Sequence, residues 1–135
     1  MKWINRYSYP ESTRALIKGL RHYSMDGFNL PSVTTILSAT KSEEDKAAIL
    51  AWRDRVGHTE SERIKNEASS RGIAMHARIH QFLLGKRNLD LIEDDDLSKK
   101  MADEIIDNGI KNKLSEVWGA ESIIYYPGKY AGTAD

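Results

Sequence analysis

Ser122-Ile-Ile-Tyr-Tyr126, Pro127-Gly128 and Lys129-Tyr-Ala-Gly-Thr-Ala-Asp135 mark the place where the chain changes character. β-Branched and aromatic residues fill 122–126, which suits a strand. Pro127-Gly128 reads as a turn. Residues 129–135 read as the strand that returns. Upstream, residues 31–118 read as helix. The tail therefore decides the class: α+β, with a helical region leading into the first hairpin of a sheet. A lone two-stranded ribbon is marginal in water and has open edges. A single but incomplete domain is the expectation, with the sheet continued by a second polypeptide or a further segment.

Working back from the hairpin, Met101, Ile105, Ile106, Ile110, Leu114 and Val117 predict a helix from about Asp95 to Trp118. The acidic stretch 90–96 reads as the loop before it, with Asp94–Asp96 at the end favoured by the helix dipole. Thr59 with Glu62 resembles a capping pair and predicts a long helix from about Glu60 to Leu84, closed by Gly85. Gly72 inside it costs about 1 kcal/mol relative to Ala, which suggests close approach of another backbone or a break between two helices. Ser42 with Asp45 opens a helix through Val56, whose stripe is Ala48, Ile49, Trp52 and Val56, with Gly57 at its end. Pro31-Ser32 starts a short helix to about Thr40, with Val33, Ile36 and Leu37 on one side. Before it, Asp26-Gly27 favours the positive dihedrals of a tight hairpin between 21–25 and 28–30. The first twenty residues read as irregular and aromatic (Trp3, Tyr7, Tyr9), with Ser12 capping a short helix through Leu20. The three segments are thus a basic aromatic one with a hairpin (1–30), a helical one (31–118) and the hairpin (119–135).

Composition constrains function by what it excludes. Without cysteine there is no disulfide framework and no thiolate metal site. No apolar run is long enough for a membrane span and no signal-peptide core is present; a cytoplasmic protein with no membrane partner is expected. Twenty basic residues balance twenty acidic ones, so net charge is silent about partners. Its distribution is not. Residues 1–30 carry five basic residues (Lys2, Arg6, Arg14, Lys18, Arg21) against Glu11 and Asp26, whereas 90–107 carries eight acids against Lys99 and Lys100. A neutral chain segregated in this way can present a local basic groove.

Three sets of residues could carry chemistry. Gly132-Thr-Ala-Asp135 places an acid at a strand end after small residues that would admit a phosphate backbone; alternatively Asp135 is a solvated carboxylate. His76 and His80 stand at i, i+4, the spacing of a helical metal pair, but Ala77 occupies the position of the glutamate in a zinc-protease motif; alternatively one imidazole is packed and the other exposed. Trp52, Arg53 and Arg55, with Arg63, Lys65 and Arg71, combine an aromatic ring with guanidinium groups, as in sites that stack bases and hold phosphates; alternatively Trp52 is core and the arginines face water.

The order of these elements carries a resemblance: Leu30-Pro-Ser-Val-Thr-Thr-Ile-Leu37, then Ala51-Trp-Arg53, Arg71-Gly72 with His76, Glu121–Tyr126, and Tyr130-Ala-Gly-Thr-Ala-Asp135. In series they resemble the RecB-like PD-(D/E)XK exonucleases, the mitochondrial genome maintenance exonuclease family and its phage and bacterial relatives, over roughly residues 21–135. The resemblance implies the opening part of a PD-(D/E)XK nuclease core acting on single-stranded DNA ends with Mg²⁺ or Mn²⁺. It makes Asp135 a metal ligand and His76 a histidine reaching the metal. It gives DNA-enclosing roles to Ser32, Thr34, Trp52, Arg53, Arg55 and Arg71. The Asp/Glu-x-Lys strand that follows in the family would have to come from a C-terminal nuclease fragment, and the chain alone is expected to bind metal weakly and cleave little. A competing expectation is a non-catalytic DNA-binding or regulatory module that self-associates or binds a partner through its open strand edge.

Overall fold

The computed structural model describes residues 1–85 and 95–135; the loop expected over 90–96 lies outside the described residues up to Asp94. The fold is mixed α+β, and the chain divides into two compact units built from segments distant in sequence. Met1–Arg6 and Trp52–Ala120 form a helical unit; Tyr7–Ala51 and Glu121–Asp135 form a sheet unit. No helix among the described residues is long and apolar enough to cross a membrane.

The sheet unit begins where the sequence reading expected irregular chain and a helix through Leu20. Strands β2 (Thr13–Ile17), β3 (Leu20–Met25) and β4 (Phe28–Pro31) form an antiparallel meander instead, and a two-residue strand β1 (Lys2–Trp3) lies in the helical unit. Asp26 and Gly27 take φ of 49° and 78°, and the expected tight hairpin is present. The missed one turns on Lys18 and Gly19, at 52° and 76°. Positive φ at two successive residues matches the twist of the flanking strands, so Gly19 sets a turn where a helix was expected.

Ser32 leaves β4 and caps α1 (Val33–Ala39), accepting the Thr35 N–H at 3.0 Å. Ser42 accepts the Asp45 N–H at 3.1 Å and opens α2 (Glu43–Val56), whose last turn belongs to the helical unit. Both caps and the Thr40 end of α1 agree with the sequence reading. Strands β6 (Ser122–Tyr126) and β7 (Tyr130–Ala134) form the expected hairpin, and a parallel bridge joins Ala131 to Ser32. Tyr23, Met25, Leu30 and Ala131 form the buried core of this unit, with Ile123 packed against them.

In the helical unit, α3 (His58–Leu83) packs on α4 (Asp96–Ile105). Thr59 is not the cap of α3: the helix starts at His58 behind Gly57, whose φ of 90° suits glycine. Gly72 neither breaks α3 nor admits a neighbour, since a Cβ there would meet nothing within 4 Å. Gly85, at φ 76°, follows the helix end as expected.

The helix expected from Asp95 to Trp118 is shorter, and its buried stripe differs. Asp95 caps α4, and Ser98, Ala102, Ile106 and Ile110 are the buried positions, whereas Met101 and Ile105 are exposed. A stripe at spacing four drifts by about 40° per step on an α-helix. A π turn over Ile106–Ile110, closed by the Lys111 N–H to the Ile106 carbonyl at 2.8 Å, winds less per residue and returns Ile110 to the packed side. Asn112 then takes φ 62° and ends the helix. Val117 is buried in strand β5 (Glu116–Val117), which pairs in parallel with β1.

Among the described residues, Ser98, Ser61 and the Arg78–Asp103 ion pair help hold this interior. Ser98 is fully buried; its N–H reaches the Asp95 carboxylate at 2.7 Å, and its hydroxyl is shared between that carboxylate (2.9 Å) and the Arg71 carbonyl (3.3 Å). Ser61 donates to the His58 carbonyl at 2.8 Å. Arg78, buried on α3, pairs with Asp103 on α4 at 3.0 Å.

Candidate functional site

The β6–β7 hairpin is symmetric about Gly128. Pro127 precedes Gly128 at φ 69°, and the Lys129 N–H closes the turn on the Tyr126 carbonyl at 3.0 Å, the pattern of a type II turn. Register then pairs Tyr126 with Tyr130 and runs to Ser122 with Ala134. The next residues on each side are Glu121 and Asp135. Their carboxylate oxygens come within 4.8 Å of one another at the open end of the hairpin, both on exposed residues. Glu121 has φ 53°, a left-handed backbone uncommon for a non-glycine residue. It therefore leaves the pleat as it enters β6, and strand alternation does not fix its direction.

Both acids line a cavity of about 550 Å³ that lies wholly within the sheet unit. Its opposite chemistry comes from the meander. Cross-strand register sets Arg14 opposite Tyr23 and Leu16 opposite Arg21, so Arg14, Arg21, Tyr23 and Met25 share one face of the sheet. That face is apolar and buried at Met25 and Tyr23, and it turns basic where Arg14 and Arg21 reach the cavity. The Tyr23 hydroxyl bonds the Thr133 hydroxyl at 3.0 Å, fixing β7 against β3. At Gly132 an added Cβ would lie 3.2 Å from the Val33 side chain, so glycine lets α1 sit close to β7.

The residues singled out in the sequence fall in both units. Asp135, Ser32 and Thr34 line this cavity. Ser32 is 2% exposed, and its hydroxyl lies 2.9 Å from those of Thr34 and Thr35, so it serves the cap of α1. His76, His80 and Arg71 lie on α3, and Trp52, Arg53 and Arg55 on the last turns of α2, all in the helical unit. There Arg71 pairs with Glu67 at 3.1 Å, and Arg63 is held by Glu60 and Glu67. The Arg63 hydrogen bond keeps the Glu60 carboxyl below its ordinary range. Trp52 and Arg53 are half-buried, Arg55 is exposed, and the buried Arg53 Nε has no hydrogen-bond partner.

Sequence reasoning missed Glu121 as the partner of Asp135, although reflection about Gly128 points to it. It also missed Arg14 and Arg21, counted only as part of a basic segment because a helix was expected through residue 20. No family model, curated protein or solved structure matches the chain.

Proposed function

We propose that this chain is part of a divalent-metal-dependent exonuclease acting on single-stranded DNA ends, with Glu121 and Asp135 as carboxylate ligands of Mg²⁺ or Mn²⁺. The observation that carries the reading is the pairing of these two acids at one end of a cavity that also holds two arginines. The donors suit the ion: both metals prefer oxygen ligands, and Mg–O distances of about 2.1 Å put two ligand oxygens at most about 4.2 Å apart. A small side-chain rotation of Glu121 or Asp135 meets that requirement. When bound, the ion would polarise a phosphoryl oxygen and favour hydroxide over water.

The chain's own groups divide the remaining work. Arg14 and Arg21 offer planar forks suited to phosphate oxygens. Ala134, next to Asp135, is small enough to leave room for a backbone there. The carboxylates repel a phosphate in the absence of a cation, so the ion is expected to strengthen DNA binding that the arginines already provide. The resemblance adds a metal-reaching role for His76 and requires an Asp/Glu-x-Lys segment supplied with the chain.

Calorimetric titration with Mn²⁺ tests the ligands. The wild-type chain is expected to bind weakly, and Asp135→Asn and Glu121→Gln are each expected to lower affinity at least tenfold; unchanged affinity in both removes the basis of the reading. His76→Ala in the same titration tests the histidine. Cleavage of labelled single-stranded DNA with Mg²⁺ and a polypeptide carrying Asp/Glu-x-Lys tests the activity. Salt-dependent DNA binding without cleavage under any complementation would favour the non-catalytic module.

A further inference from the structure

Tyr126 and Tyr130 close the turn end of the hairpin as a stacked pair, with ring centroids 5.9 Å apart and planes at 26°. They are 57% and 42% exposed. Strand alternation puts them on the side of the hairpin opposite Ile123 and Ala131, which pack in the core. The rings therefore add little to the interior of the unit, yet both line the cavity that holds Arg14 and Arg21. Flat, accessible π-faces beside guanidinium groups are the two elements that grip a single strand: bases stack on the rings and phosphates pair with the cations.

We infer that Tyr126 and Tyr130 are a stacking platform for an unpaired base of a single DNA strand whose phosphates lie against Arg14 and Arg21. The inference deepens the nuclease reading and rests on it for the fate of the strand. Duplex bases present their faces to one another, so the platform selects unpaired ends. Tyr130 and Asp135 are five residues apart on one strand, about 17 Å at strand rise. A stacked base would thus sit a few nucleotides from the phosphate at the carboxylate pair, giving the strand a fixed point of purchase away from the reacting bond.

Fluorescence anisotropy of a labelled oligothymidylate in EDTA tests this without metal or cleavage. Tyr126→Leu/Tyr130→Leu keeps the apolar bulk and removes the rings; it is expected to weaken binding at least about fivefold, the low end for loss of one stacked base. Tyr126→Phe/Tyr130→Phe keeps the rings and should bind as wild type. Arg14→Gln/Arg21→Gln should weaken binding and flatten its salt dependence. Blunt duplex of the same length should bind no differently to the wild-type and Leu variants. Wild-type affinity in the Leu variant, or in the Gln variant, overturns the inference, as does a duplex that gains as much from the tyrosines as the single strand. Because the assay excludes metal, tyrosine-dependent binding alongside a failed Mn²⁺ titration removes the nuclease reading alone. The opposite pair of results removes the platform alone.

Discussion

The two units treat polar groups in opposite ways. In the helical unit most of those turned inward are answered, with the Arg53 Nε as the exception: Arg78 by Asp103, Ser98 by Asp95 and the Arg71 carbonyl, Ser61 by the His58 carbonyl. In the sheet unit Arg14, Arg21, Glu121 and Asp135 are turned toward a cavity. A satisfied interior group holds helices in register. A group lining a cavity borders whatever enters it. On the proposed reading the first set is structural and the second chemical, and substitution can separate them.

The largest stability effect is expected at Asp103→Ala. It leaves the guanidinium of Arg78, 4% exposed, without this carboxylate. A cost of about 2 kcal/mol is expected, less than for a fully buried pair because Asp103 is 42% exposed. Urea unfolding followed by circular dichroism measures it, and Arg78→Met/Asp103→Leu should recover most of the loss. Mn²⁺ and DNA binding should be unchanged in Asp103→Ala; loss of either would break the division of labour. Glu121→Gln should do the reverse, keeping stability within about 0.5 kcal/mol.

Ser32→Ala comes next. The hydroxyl caps α1 from a buried position, so about 1–2 kcal/mol should be lost from the sheet unit. Ser32→Asp, which can still cap, separates the cap from the hydroxyl contacts to Thr34 and Thr35. Gly72→Ala should stabilise the helical unit by about 1 kcal/mol, because α3 is continuous there and the added methyl meets open space. Destabilisation would mean that a backbone does approach Gly72.

The smallest expected effect is a pH dependence at the α4 cap. The Ser98 backbone N–H, then its hydroxyl, hold the Asp95 carboxyl below the ordinary aspartate range. A carboxyl depressed in the folded state contributes stability that is full above its unfolded pKa and is lost as pH falls through the folded one. Acid unfolding of the helical unit should therefore steepen below about pH 4. Asp95→Asn, still able to cap, should remove that part of the slope.

What could be read from the sequence was whatever a local rule enforces. Asp26-Gly27, Ser32, Ser42, Gly85 and Pro127-Gly128 each act through a dihedral or a neighbouring N–H, and the structure has them as expected. What escaped depended on partners far along the chain. Val117 looked like the end of a helical stripe because nothing local shows that β1 will pair with it. The stripe of α4 was displaced because a π turn changes the period that the sequence reading assumed. Asp135 was visible as an acid at a strand end. Glu121 became its partner only through hairpin register, and Arg14 and Arg21 only through a meander whose first turn, Lys18-Gly19, gives a weaker signal than Asp-Gly.

The division into units also sorts the chromophores. Trp3, Trp52 and Trp118 all belong to the helical unit, whereas Tyr7, Tyr9, Tyr23, Tyr125, Tyr126 and Tyr130 all belong to the sheet unit. Indole emission therefore reports on one half of the molecule, and phenol absorbance, through its difference spectrum, on the other. A single unlabelled sample carries two optical gauges. If the halves melt together, the two signals share one midpoint; if they melt apart, the spectrum alone says which half goes first.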